Sequence, residues 1–186
     1  MTFASLDRRI TMLAVVGLLP AAFAVGQTGQ HVAMEREAVQ LVRQLEEVGR
    51  DVRYHAGRLN ALAGSTLISR WTHIHHLDQI KVMVNEGLRP TLTRLTEIQP
   101  QLPGWKQESV DRMLAAASAL AADATEAILT KSEVTSVPPA MNAEYRRVIG
   151  SMYDHAEALV KTSDVAGTYA AARLKAAEAG LKVPQS

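Results

Sequence analysis

The chain predicts an all-α fold, an antiparallel up-down-up-down four-helix bundle, on three observations. Apolar residues recur at spacings of three and four through four long segments, the signature of helices with one buried face. Clusters of Gly, Pro, Ser and Thr separate those segments. No stretch alternates apolar and polar residues as a half-buried strand would, and no hairpin dipeptide joins β-branched runs.

The first segment carries Met34, Ala38, Leu41, Leu45, Val48, Val52, Leu59 and Leu62, with His55 at the position where the series lacks an apolar member. "AGST" at 63–66 ends it, with Gly64 as the breaker and Ser65 or Thr66 as the next N-cap. The second runs from about Leu67 to Ile98 through Trp71, Ile74, Leu77, Ile80, Val84, Leu88, Leu92 and Leu95. Gly87 and Pro90 fall inside it. Proline lacks an N–H and clashes with the preceding turn, so a kink is expected near Gly87–Pro90.

After "QPQLPG" a third segment, about 105–131, places Val110, Met113, Ala117, Leu120, Ala124 and Ile128 on one face. "SEVTSVPPA" is the next break, where Ser136 is the expected N-cap and Pro138 and Pro139 fall in the first turn. The last helix should then reach about Ala179 and stop at Gly180.

Before the bundle comes a leader. Residues 1–26 have Arg8 and Arg9, then an uncharged run from Ile10 to Gly26 that ends in small residues. This is the pattern of an export signal cleaved after Ala24 or Gly26, leaving 27–186 as one domain in the periplasm or outside the cell. The alternative is an N-terminal anchor, and the membrane is a partner only if the leader stays. Removing Arg8, Arg9 and Asp7 takes the totals of 20 basic and 19 acidic residues to 18 of each. A neutral surface argues against nucleic acid. Cysteine is absent, which excludes disulfides, thiolate metal sites, a lipid anchor on cysteine and covalently attached c-type haem.

Chemistry concentrates in "RWTHIHHLDQ", residues 70–79, which holds three of the six histidines. In an antiparallel hairpin centred on Gly64, His55 and His73 stand equally far from the turn, about 13 Å along each helix at 1.5 Å per residue. His76 lies one turn beyond His73, and Asp51 one turn before His55. His75 shares its stripe with Val82 and points elsewhere. Asp123 and Glu126 fall near the same height, and His155 about a turn lower. The candidate metal ligands are therefore His55, His73, His76, Asp51 and His155. Imidazole and carboxylate suit zinc, copper, nickel or iron, and b-type haem is the other cofactor these side chains permit.

The motifs of enzymes are missing. No histidine follows a Glu at the Glu-x-x-His spacing of di-iron bundles, and there is no HExxH, phosphate loop or nucleophile elbow. A non-enzymatic binding protein is expected, with a protein-interaction, chaperone-like or sensor-like bundle without metal as the alternative. A protein partner or a second copy would dock on a helix face.

An export signal followed by four antiparallel helices resembles, in architecture, cytochrome c′ and the b-type four-helix cytochromes. Where cytochrome c′ carries Cys-x-x-Cys-His, the segment "KTSDVAGTYAAAR" has Ser163, Ala166 and Gly167. The b-type pattern of an early Met and a late His finds Met34 but no His after His155. "LTEIQ", Leu95–Gln99, is similar to the Leu-Thr-x-x-Gln motif of the Spy-type periplasmic chaperones. There the motif opens a helix and recurs, whereas here Pro100 and Pro103 follow it. No membership follows from either likeness.

Overall fold

The computed structural model describes residues 21–63, 65, 69–102, 108–133 and 142–181. All regular structure among them is helical, and no strand occurs. Helix α1 spans Ala21–Leu62, α2 Arg70–Val82, α3 Arg89–Ile98, α4 Glu108–Glu133 and α5 Ala143–Glu178. A π-helical turn, Met83–Leu88, joins α2 to α3 without a break, so the five segments amount to four long helices. The first twenty residues of the expected leader lie outside the described residues, as do Thr66, Leu67, Ser136, Pro138 and Pro139.

Helix α1 is uninterrupted because its interior is rich in Leu, Gln, Glu, Arg and Ala, which lose little freedom in a helix. Ala38, Val42, Leu45, Val52, Ala56 and Leu59 form its buried stripe. The next helix starts later than its expected cap. Ser69, with extended backbone, accepts from the Trp71 N–H at 3.2 Å, and α2 begins at Arg70. Its buried series begins at His73 and continues through Leu77, Ile80, Val84 and Leu88. Trp71, expected on that face, lies two residues off it and is 77% exposed.

At Pro90 the chain has no N–H to give the carbonyl one turn back. The backbone widens just before it, and the Arg89 N–H bonds the Val84 carbonyl five residues away. Pro90 itself sits in the first turn of α3, where a missing donor costs little. Gly87 is in the widened turn because Val48 of α1 leaves no room: a Cβ there would lie 2.8 Å from Val48 Cγ2.

Helix α4 buries Val110, Met113, Ala117, Leu120, Ala124 and Ala127. Its segment Glu108–Thr130 is long and apolar enough to cross a membrane by length and composition. Five of its alanines, Ala116, Ala117, Ala121, Ala124 and Ala127, are buried, whereas Ala115 and Ala122 are exposed. Helix α5 is capped by the Asn142 side chain on the Tyr145 N–H. It ends at Gly180, whose φ of 67° lets the Leu181 and Gly180 N–H groups return to Ala176 and Ala177.

Neighbouring helices meet in opposite order along their lengths. On α1 and α5, Glu35 meets Arg173, a Cβ at Gly49 would touch Leu159, and one at Gly57 would touch Tyr153. Between α1 and the interrupted helix, Glu37 meets Arg94 and Val48 meets Gly87. Glu126 and Asp123 of α4 meet Arg147 and Ser151 of α5. Gln99 and Arg89 meet Asp111 and Thr125 of α4.

One ion pair is buried inside this core. Arg173, 3% exposed, donates through Nε and Nη2 to Oε1 of Glu35, which is fully buried, and through Nη1 to the Tyr169 hydroxyl. Burial works against the guanidinium's charge, yet the hydrogen bonds to Glu35 and Tyr169 hold its pKa above the ordinary value. Such a pair adds little net stability, but removing one partner strands a buried charge and costs about 3–5 kcal/mol.

Candidate functional site

The imidazoles gather where the helix start at Arg70 and the heptad of α2 put them. His76 meets His55, with Nδ1 to Nδ1 at 2.9 Å and ring centroids 5.2 Å apart. One ring must donate and the other accept, so two neutral imidazoles hold opposite tautomers across this contact. Burial lowers both pKa values. For His55 the neighbouring His75 adds to that and Asp51 opposes it; for His76, His55 comes next, then His75, Arg58 and His73. His75 is exposed, with its ring edge-on to His76 at 5.5 Å between centroids. Asp51 is exposed one turn before His55.

The other two histidines of the expected set are engaged elsewhere. His73 is 3% exposed and its Nδ1 lies 3.0 Å from the Tyr145 hydroxyl of α5. Burial lowers the His73 pKa and pushes that of Tyr145 well above its ordinary range, so both groups stay neutral. His155 stands level with His55, as the nearby approach of Gly57 and Tyr153 shows, but turns to α4. There its Nδ1 meets Asp123 Oδ2 at 2.5 Å, and the Ser151 hydroxyl donates to the same oxygen at 2.9 Å. Glu126 pairs with Arg147.

The register explains which histidines meet. His55 with His76 and Glu37 with Arg94 put the mirror point of the hairpin between residues 65 and 66, not at Gly64. Helix α1 ends at Leu62 and α2 begins at Arg70, so the partner of His55 shifts by nearly one turn from His73 to His76. Among the described residues, no group of three or more His, Asp or Glu side chains is close enough to hold a metal ion.

Sequence spacing also missed the Glu35–Arg173 pair, although a signal was present. Leu159, Ser163, Ala166 and Ala170 lead to Arg173 at core spacing, and Glu35 precedes Ala38, Val42 and Leu45 in the same way. Charged residues at core positions of two facing helices are a readable pairing.

Comparison with family models, with curated proteins and with solved structures finds no match.

Proposed function

We propose that this chain is an exported, non-catalytic helical-bundle binding protein whose His55–His76 pair seats a borderline divalent transition-metal ion. The up-down-up-down arrangement, supported by the opposite order of contacts between neighbouring helices, brings α1 and α2 side by side at that point. A change of direction at Gly87–Pro90 is supported by the π-helical turn there.

The observation that carries the reading is the 2.9 Å separation of the two Nδ1 atoms. Two imidazole nitrogens bound to one tetrahedral ion at about 2.05 Å stand about 3.3 Å apart, so a small opening of the pair admits the ion. Both rings are already held toward the neutral form that ligates. His75, edge-on to His76, and Asp51, one turn before His55, would have to move to add a third ligand, and water would complete the coordination otherwise. Haem is disfavoured, because rings in contact leave no slot for a macrocycle between them.

Metal-dependent melting of the full chain tests this. Cu²⁺ or Zn²⁺ at a hundred times its Kd should stabilise the chain by about 2.7 kcal/mol. His55→Ala and His76→Ala should each weaken binding at least about tenfold, while His155→Ala leaves it unchanged. A melting temperature indifferent to both ions sinks the reading.

A second reading is an interaction or sensor-like bundle without metal that keeps its leader as an anchor. It is favoured by α1, which runs unbroken from Ala21 through both expected cleavage points into the bundle. An intact N-terminus by mass spectrometry separates it from the cleaved form.

A further inference from the structure

We propose that the groove between α3 and α4, centred on Arg89, binds a short-chain organic carboxylate. The groove is open to solvent, has a volume of about 360 Å³ and is lined by Arg89, Leu92, Thr93, Ser118, Ala121 and Ala122, of which Ala121 is buried. That is the size of a small-ligand site, with one charge, two hydroxyls and an apolar wall.

Arg89 is exposed and is held at one edge of its guanidinium. It follows the π-helical turn directly, and widened turns of this kind recur at functional sites. Its Nη2 donates to the Thr125 hydroxyl at 2.7 Å and approaches the Ala121 carbonyl at 3.5 Å. The Thr125 hydrogen is itself committed to Ala121, so the hydroxyl can only accept from Arg89. Both contacts leave from Nη2. Among the described residues no carboxylate pairs with Arg89, and no protein acceptor meets its Nε–H or its Nη1 hydrogens.

The acids of α4 that might have neutralised it are occupied on the other side. Asp123 holds His155 and Ser151, and Glu126 holds Arg147. Arg36, Arg50, Arg94, Arg112, Arg147 and Arg173 have carboxylate partners, whereas Arg89 is held by a hydroxyl and a backbone carbonyl instead. The free edge of a guanidinium presents two parallel donors that match a carboxylate. A single positive charge suits a monoanion better than a phosphate dianion, and Leu92, Ala121 and Ala122 suit an alkyl chain.

Titration of the full chain with acetate, butyrate and hexanoate, read at the Leu92 and Ala121 methyl signals by NMR, tests the proposal. Butyrate should give a saturable shift confined to the groove, and butyramide none. Arg89→Gln should weaken butyrate binding at least about tenfold, Arg89→Lys less, and Arg146→Gln not at all. Ser118→Trp, at an exposed position, should block binding while leaving the helical circular dichroism intact. Equal response to butyramide, unchanged binding by Arg89→Gln or Ser118→Trp, or no saturation overturns the proposal. His55→Ala should leave the titration unchanged, which keeps this site separate from the histidine pair.

Discussion

Burial and mutual repulsion act on the same imidazoles, and their effect on stability has a definite sign. His55, His73 and His76 all have pKa values below the ordinary 6.5, with burial as the largest cause. Once the pH falls below about 6.5, the unfolded chain takes up protons that the folded chain resists. Stability is therefore complete above that value and declines as the pH drops toward the lowered folded pKa values. Below those it levels off, since both states are then protonated. The urea midpoint should fall between about pH 7.5 and about pH 5, and the slope should be shallower in His76→Gln, which removes one of the three imidazoles whose pKa folding lowers. An equal slope in both proteins would show that the pair does not carry the effect. The sequence made His55 and His76 legible as candidates because both sit at core spacing near one turn. It did not show that His73 would be taken by Tyr145, because that contact depends on how α5 lies against α2, over a separation of 72 residues. His155 was likewise on the right level but committed to Asp123, a pairing set by the rotation of α4 and α5.

Helices that differ in one glycine should respond in opposite ways to the same substitution. Gly150 lies inside α5, and a Cβ there meets nothing within 4 Å. Gly150→Ala should raise stability by about 0.5–1 kcal/mol, by removing freedom from the unfolded chain. Gly87 also lies in helical backbone, but its Cβ would lie 2.8 Å from Val48 Cγ2. A β-branched side chain on α1 cannot swing away cheaply, so Gly87→Ala should cost about 1–3 kcal/mol. Adding Val48→Ala should recover most of that loss, and urea denaturation of the single and double variants measures it; loss without recovery would place the cause elsewhere. The positions of the helices were legible because apolar spacing, Pro90 and Gly180 each impose a local rule. Ser69 displaced the expected caps because either cap side chain can serve and packing chooses the starting turn. Trp71 followed from that choice: once the core series began at His73, the indole fell outside it. The widened turn could not be read from sequence, since Pro90 demands only that a donor be missed and not how the backbone absorbs it.

Across the whole molecule, packing is uneven in a way that hydrogen exchange should resolve. Helices α1 and α5 face each other over most of their length, with Ala38, Val42, Leu45, Val52, Ala56 and Leu59 opposite Val148, Met152, Ala156, Leu159, Ala166 and Ala170. The buried Glu35–Arg173 pair closes one end of that interface. By contrast, α3 buries only Thr91, Leu95 and Ile98, carries Pro90 in its first turn, follows the widened π-helical turn, and borders an open groove against α4. Cooperative units with few buried contacts open at lower free energy than the global transition. Amides in the middle of α1 and α5 should therefore exchange only through global unfolding, with denaturant dependence equal to that of the whole chain. Amides from Val84 to Leu95 should exchange earlier, through a local opening with little denaturant dependence. If the two sets exchange with one free energy and one dependence, the bundle opens as a single unit, and the interrupted helix is as firmly held as its neighbours. If they separate as expected, a ligand in the Arg89 groove should slow exchange in α3 and leave the middle of α1 and α5 changed only by its effect on global stability. Metal at His55 and His76 would instead slow exchange in α2, because it ties that helix to α1 above the widened turn.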